Sequence, residues 1–168
     1  SQAGLCGLRP RYVTVRENAG SERWSMDPDE LDAVVDDTTR MLILNTPHNP
    51  TGKVFSAMEL EAVADICRRR NLLVITDEIY EHILYDGHRH HCLATLPQMR
   101  ERTFVLNSIS KTGNATGWRV GWVLSPPSYT TRIRSIHDTL VIQAPTPLQK
   151  GAVKLLQAEP EDFAGLSA

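Results

Sequence analysis

The stretch that decides the fold is residues 72–80, which read LLVITDEIY. Its first five residues are apolar or β-branched without alternation, a pattern typical of a strand buried on both faces of a parallel sheet. The run ends at Asp77, and a carboxylate at the mouth of an apolar strand needs a cation or hydrogen-bond donors. By itself Asp77 is equally compatible with a helix cap or a metal ligand, so the other strand ends must decide its role.

Outward from this stretch, short strand-like runs alternate with amphipathic helical segments. Residues 41–45 are continuously apolar and predict another strand covered on both sides. Asp27 is a predicted N-cap, and Ser56 with Glu59 forms a predicted capping box. This alternation predicts an α/β fold with three layers, α/β/α, around a mostly parallel sheet. The predicted strands are 11–16, 41–45, 72–76, 103–109 and 120–125, and the predicted helices begin at residues 27, 56, 126 and 146 and near Glu78.

Composition argues against several classes of protein. The 168 residues suffice for one domain, and a net charge of −2 provides no basic field for nucleic acid. The longest apolar runs are far shorter than the ~20 residues that span a bilayer, and residues 1–8 lack a signal-peptide pattern. Three cysteines without a C-x-x-C spacing argue against a disulfide framework, so a cytoplasmic location is expected. The histidine-rich run 88–91 has no second half of a zinc site and predicts a solvated loop, so no metal is expected.

Ligands of open α/β sheets bind at the carboxyl ends of the strands. After the strand at 41–45 comes the loop NTPHNPTG, residues 45–52, in which the Asn49-Pro50 bond is a candidate cis peptide. After the strand at 103–109 comes Lys111, in the kind of position where a lysine forms a Schiff base. Arg119 can return to the same site as a phosphate clamp. Taken singly, these features are also an ordinary turn and a surface lysine.

Together, the three motifs resemble the class I/II aminotransferases among the fold-type I enzymes that use pyridoxal phosphate (PLP). The matching patterns are N-x-P-x-N-P-T-G at the first strand end, T-D-E-I-Y at the second and S-x-S-K-x(5)-G-W-R-x-G-W at the third. The subgroup most similar contains the kynurenine and glutamine aminotransferases and the related cysteine-conjugate β-lyases. The resemblance runs over residues 10–157, nearly the whole chain.

The resemblance assigns a role to each matching residue. Lys111 matches the lysine that forms the Schiff base with PLP and later moves the proton at the substrate Cα. Asp77 matches the carboxylate that pairs with the pyridine nitrogen. Asn49 and Tyr80 match the two donors to the 3′-oxygen of the cofactor. Ser108 and Arg119 match the side chains that hold its phosphate.

Elementary electrostatics supports these roles. PLP is an electron sink while its ring nitrogen is protonated, and a carboxylate about 4 Å away stabilises that proton by ~4 kcal/mol at an effective dielectric of 20. Arg119 can bind a phosphate through two parallel hydrogen bonds, which a lysine does not reproduce. Some members of the subgroup have lysine at this position, so the arginine points toward the broader class.

The resemblance also implies parts that this chain lacks. Complete members are more than twice as long, with a Gly-rich phosphate loop and a ring-stacking aromatic upstream and a small domain with a carboxylate-binding arginine downstream. Residues 1–145 are therefore expected to be the central part of the PLP-binding large domain, and 146–168 the start of the helix that leads to the small domain. The family's sheet has a strand between the runs at 11–16 and 41–45, so the chain should have a gap there. It is expected to pair with another copy, to rearrange, or to belong to a longer polypeptide.

Two functions follow as alternatives. The first is an aminotransferase, a homodimer in its complete form, that moves an amino group from an amino acid to a 2-oxo acid, with a PLP-dependent β-lyase as its variant. The second is a truncated, non-catalytic fragment that serves as a folding or interaction unit.

Overall fold

The structure, a computed structural model, describes residues 2–19 and 24–158. The end of the predicted segment 146–168 therefore lies outside the described residues. The strands are β1 (Val15–Glu17), β2 (Trp24–Met26), β3 (Met41–Asn45), β4 (Leu73–Asp77), β5 (Thr103–Ser108) and β6 (Gly121–Leu124). The helices are α1 (Gln2–Leu5), α2 (Pro28–Val34), α3 (Ala57–Arg69), α4 (Ile109–Thr112), α5 (Pro127–Leu140) and α6 (Thr146–Leu156), and 3₁₀ turns lie at Leu93–Thr95 and Thr116–Trp118.

Four strands form the main sheet, in the order β3-β4-β5-β6. The first three are parallel and β6 runs antiparallel to β5, which confirms the prediction of a mostly parallel sheet. Strands β1 and β2 pair with each other in a separate antiparallel ribbon. Among the described residues β3 therefore has a strand on one side only, as the predicted gap requires.

The main core lies between α3 and one face of the sheet. The predicted capping box is present, since the Ser56 hydroxyl accepts from the Glu59 amide and the Glu59 carboxylate accepts from the Ser56 amide. The helix that follows buries one stripe of apolar side chains, and full burial of each leucine, valine or isoleucine in it is worth about 1.5–3 kcal/mol. The stripe consists of Leu60, Val63, Ala64, Ile66 and Cys67.

A second, smaller core attaches α6 to the segment after β5. Ile109 of α4, Val120 and Ala152 of α6 are buried together. A Cβ atom on Gly113 would lie 2.3 Å from Leu155 Cδ2 and 2.9 Å from the Ile109 carbonyl oxygen. The contact between α4 and α6 is therefore too close for any larger residue at Gly113.

The strand predicted at residues 11–16 is wrong in its extent. Strand β1 begins only at Val15, and Tyr12 is 77% exposed. The cause is local: the Thr14 amide donates to the Glu30 side chain, and β2 offers a partner only three residues long. The backbone before Val15 is thus bound to the start of α2 rather than to a strand.

The expectation that residues 41–45 form a strand covered on both sides is also wrong. Leu42 and Leu44 pack against the main core, whereas Ile43 on the opposite face is 66% exposed. Alternate side chains of a strand point to opposite faces, and α3 covers only one of them. The same face stays open on the far strand, where Val123 of β6 is 42% exposed.

The helix predicted near Glu78 is a single turn. The Glu78 amide donates to the Leu106 carbonyl of β5, so the chain remains extended one residue past β4. The Glu81 amide then donates to the Glu78 carbonyl, and the Ile83 amide donates to the Tyr80 carbonyl. These tight bonds between residues three apart close one turn, which directs Tyr80 back toward the strand ends.

Candidate cofactor site

The predicted site residues lie along one edge of the sheet. In the strand register Asn45 is opposite Asp77, and Ser108 is opposite Gly121. These positions are the carboxyl ends of β3, β4 and β5 and the beginning of the antiparallel β6. The edge is thus the ligand-binding edge expected of a parallel α/β sheet.

The loop after β3 is fixed from both ends. The Asn45 side chain donates to the Asp77 carbonyl at 3.0 Å and accepts from the Asn49 amide at 2.6 Å. The Asn49-Pro50 bond is cis, as the sequence suggested, and so is Thr46-Pro47. Gly52 adopts a φ of +72°, which allows its amide to donate to the His48 carbonyl. Asn45 therefore couples the loop directly to the end of β4.

Three residues from the three motifs converge on one point. Asn49 Nδ2 donates to the Tyr80 hydroxyl at 3.2 Å. The Lys111 Nζ atom lies 5.6 Å from the centroid of the Tyr80 ring. Tyr80 thus stands between the loop after β3 and the segment after β5, although the three residues are separated by 31 positions each along the chain.

Asp77 is the last residue of β4 and is partly buried. One carboxylate oxygen accepts from the Ile79 amide at 3.3 Å. This long bond leaves lone pairs of the carboxylate for a stronger donor. The Asp77 carboxylate can therefore accept a hydrogen bond from a protonated nitrogen at the strand end.

The phosphate-binding candidates lie where β5 ends and β6 begins. The Ser108 hydroxyl accepts from the Ser110 amide at 3.1 Å and so caps α4, which carries Lys111. The Ile109 amide donates to the Val120 carbonyl and keeps the two segments adjacent. Arg119 adopts a left-handed backbone with a φ of 55°, and its guanidinium donates to the Thr116 carbonyl at 3.0 Å. Arg119 is exposed and has donors left over for an anion, because a guanidinium carries five.

The donor set fits PLP. An amine suits its aldehyde, a carboxylate suits its ring nitrogen, and a phenol next to an amide suits its 3′-oxygen. A hydroxyl and a guanidinium suit its phosphate. Lys111, Asp77, Tyr80, Asn49, Ser108 and Arg119 together supply these groups at one sheet edge.

Comparison with known proteins decides the family. Residues 1–164 match the family described as aminotransferase class I and II. The chain belongs to the class I and II aminotransferases. Membership of this family implies PLP as the cofactor.

Relatives and solved structures agree with this family. Kynurenine–oxoglutarate transaminase 1 of Homo sapiens is 41% identical over 162 residues, covering 92% of this chain and 38% of that protein. The kynurenine–oxoglutarate transaminase of Dictyostelium discoideum is 38% identical over 173 residues, covering 95% and 40%. N-succinyldiaminopimelate aminotransferase from Mycobacterium tuberculosis superposes with a TM-score of 0.92 at 37% identity, covering 98% of this chain and 42% of that one. The chain thus spans about two-fifths of the length of these aminotransferases, and the predicted α/β fold is confirmed.

The prediction that residues 88–91 form a solvated loop is wrong for one residue, His90. His88, Arg89 and His91 are exposed, as expected of a solvated loop. The His90 side chain, however, is only 12% exposed, and its Nε2 atom lies 2.6 Å from Glu78 Oε2. Glu78 was missed, although two adjacent acidic residues at a buried strand end indicate that one of them must have a partner in the interior.

A second missed contact lies close by. Glu81 accepts from the Asn107 side chain at 2.5 Å, and Asn107 Oδ1 accepts from the Ser108 amide at 2.7 Å. Glu78, Glu81 and His90 are also the group of potential metal ligands found in the described part of the chain. Hydrogen bonds to His90 and Asn107 already engage the two carboxylates.

An open cleft of about 950 Å³ adjoins Asn49 and Tyr80. Its floor includes Lys53, which is buried and bound to the Trp24 carbonyl at 2.9 Å and to the Glu59 carboxylate at 2.5 Å. His48 also lines the cleft, and burial lowers the pKa of its imidazole. The His48 Nδ1 atom lies 2.8 Å from the Thr51 hydroxyl, so this ring is engaged within its own loop.

The three cysteine side chains differ in their exposure. All three are unpaired, with Cys67 buried. Burial raises the pKa of Cys67 to about 11, and burial together with the Glu78 charge raises that of Cys92 to about 11. Both thiols are therefore protonated at neutral pH. No helix in the described ranges has the length and apolar character needed to cross a bilayer.

Proposed function

We propose that this chain supplies the cofactor-binding centre of a PLP-dependent aminotransferase, which moves an amino group from an amino acid to a 2-oxo acid. The observation that carries the proposal is the convergence of Asn49, Tyr80 and Lys111 at the end of β4. Each comes from a different motif, and an ordinary turn or a surface lysine would not require them to meet.

Lys111 is the proposed catalytic base and covalent anchor. Its amine would bond the cofactor's carbonyl carbon and, once released by substrate, would carry the proton to and from the substrate Cα. PLP, when bound, supplies the electron sink for this chemistry. The short helix α4 and its Ser108 cap fix the backbone from which Lys111 reaches the strand ends.

The other side chains would hold the cofactor and its charges. The Asp77 carboxylate would accept the ring N–H and keep that proton in place. Asn49 and Tyr80 would donate to the 3′-oxygen. Ser108 and Arg119 would bind the phosphate, and for this the Arg119 guanidinium can keep its Thr116 bond and use its remaining donors.

Substrates, assembly and location are parts of the same proposal. The relatives named above are kynurenine–oxoglutarate transaminases, so an aromatic amino acid with 2-oxoglutarate is the first pair to test. We propose a homodimer and a cytoplasmic location for the complete protein. Residues 1–145 would form the central part of the large domain, and the segment from residue 146 would lead toward the small domain.

The test is covalent attachment at Lys111. The chain is mixed with PLP, its visible spectrum is recorded, and borohydride then fixes any imine for peptide mapping. We expect an absorbance band and an adduct at Lys111 that disappear in Lys111→Ala. Lys150→Ala is the matched control, because Lys150 is an exposed lysine on α6.

The absence of a Lys111 adduct in the wild-type chain would contradict the proposal for this chain. It would favour the second candidate, a non-catalytic folding or interaction unit. The observation that supports this alternative is the open apolar face of the sheet, with Ile43 and Val123 exposed.

A further inference from the structure

The contact between Glu78 and His90 is the most buried polar pair next to the cofactor site. The Glu78 side chain is 2% exposed and the His90 side chain 12%, and the two are joined at 2.6 Å. Among the described residues, Glu78 Oε1 and His90 Nδ1 have no hydrogen-bond partner. The hydrogen bond between Glu78 and His90 is therefore the main described polar contact of each side chain. Leaving a buried carboxylate without such a contact costs free energy of folding.

The position of Glu78 connects this pair to the site. Because the Glu78 amide continues the ladder to Leu106, the backbone is extended there, and Asp77 and Glu78 point to opposite sides. Asp77 faces the site edge while Glu78 faces the interior. Two residues later, Tyr80 leaves the same turn and meets Asn49.

The far end of the turn is fixed by a second contact. Glu81 accepts from the Asn107 side chain, and Asn107 in turn accepts from the amide of Ser108. The segment from Asp77 to Glu81 is thus held at Glu78 by the loop of His90 and at Glu81 by strand β5. These hydrogen bonds use oxygen and nitrogen atoms that a metal ion would need, so they favour a positioning role over a metal site.

We propose that Glu78 and His90 are positioning residues that hold the Asp77–Tyr80 segment in its cofactor-binding geometry. The proposal rests on the proposed function for its purpose, but its physical content can be measured without cofactor. In the part of the chain that the structure describes, neither side chain is hydrogen-bonded to a predicted cofactor-binding residue, and each would act through the backbone of the turn.

The test compares three variants by amide hydrogen exchange. His90→Ala removes the donor, His90→Gln keeps a donor near the position of Nε2, and His88→Ala is the matched control in the same loop, where the side chain is exposed. In His90→Ala we expect exchange of residues 77–82 to quicken on the order of tenfold, with helix α3 unchanged. His90→Gln should restore slow exchange, and His88→Ala should match the wild-type chain.

Two outcomes would overturn the proposal. One is unchanged exchange of residues 77–82 in His90→Ala. The other is equally faster exchange throughout α3 and β4, which is what a merely structural pair would give. Because His90→Gln retains the hydrogen bond, it keeps the comparison valid even where His90→Ala is poorly folded.

A second readout connects the pair to the cofactor. The same variants are titrated with PLP, and the Lys111-dependent band in His90→Ala should need on the order of tenfold more PLP, with His90→Gln close to wild type. A band in the wild-type chain that is insensitive to His90→Ala would overturn the positioning role alone. No band in the wild-type chain would count against the proposed function, while the exchange comparison still decides the positioning role.

Discussion

The two ends of the site are built differently. At the end of β4, the segment from Asp77 to Glu81 is held by contacts from three other segments, through Asn45, His90 and Asn107. At the start of β6, Arg119 is exposed, and among the described residues its guanidinium bonds to the Thr116 carbonyl of its own 3₁₀ turn. The first end is organised before any ligand arrives, whereas the second has charged donors that a phosphate can still recruit. Under the proposed function, the ring and the phosphate of PLP would therefore be bound with different amounts of preorganisation.

The largest effect is expected at the organised end, from Asp77→Asn. Loss of a charge worth about 4 kcal/mol at 4 Å and an effective dielectric of 20 corresponds to a roughly 10³-fold slower amino transfer. PLP affinity should change by much less. The measurement is single-turnover amino transfer by the PLP-loaded protein beside its binding curve, with the exposed Asp37→Asn as control. Equal losses in rate and affinity would assign Asp77 to binding instead.

The next effect concerns what supports the less organised end. Gly113→Ala places a Cβ atom 2.9 Å from the Ile109 carbonyl and closer still to Leu155, so we expect α6 to shift and the chain to lose about 1–3 kcal/mol of stability. Gly117→Ala is the control, because no described atom beyond its chain neighbours lies within 4 Å of its Cβ position. Urea unfolding of both variants is the measurement. Equal midpoints would show that α6 does not support this end.

A smaller effect is expected from Arg119→Lys. A lysine cannot form the two parallel bonds of a guanidinium, so PLP affinity should weaken on the order of tenfold. Inorganic phosphate should also compete less well with PLP in this variant. Binding curves with and without phosphate provide the check, and Arg100→Lys, a change at another exposed arginine, should leave them unchanged. Unchanged phosphate competition in Arg119→Lys would remove Arg119 from the phosphate site.

The smallest effect is a labelling pattern. A thiol whose pKa is raised to about 11 becomes a reactive thiolate only as the pH approaches that value, so Cys67 and Cys92 should resist alkylation near pH 8. Cys6 is exposed and should be labelled first. Mass spectrometry of tryptic peptides after brief treatment with iodoacetamide gives the order. Early labelling of Cys92 would show that the organised region around Glu78 opens readily.

The sequence predicted the strand ends well because their residues obey local rules. The bounds of β3, the capping box of α3 and the cis bond before Pro50 each follow from a few neighbouring residues. The meeting of Asn49, Tyr80 and Lys111 has another origin, since the resemblance to the aminotransferases implied it and the strand order produces it.

The rest depends on contacts that no local pattern encodes. Whether Ile43 is covered depends on which face of the sheet α3 packs against, and the apolar run at 41–45 does not encode that choice. His90 lies among three solvated neighbours, and only its contact with Glu78, twelve positions earlier, distinguishes it from them. Pattern analysis of the sequence therefore misses the buried side chain that pairs with a single charged residue, as it missed the contact between His90 and Glu78.

The close contact between α6 and the turn before β6 has an optical consequence. Gly151 lacks a side chain where the Trp118 ring lies, and a Cβ atom there would be 2.7 Å from the indole. The indole of Trp118 therefore rests on the α6 backbone, and its emission should report whether this helix is docked. With Trp24 and Trp122 replaced by phenylalanine, the chain would carry its own fluorescent probe at the border of the proposed cofactor site.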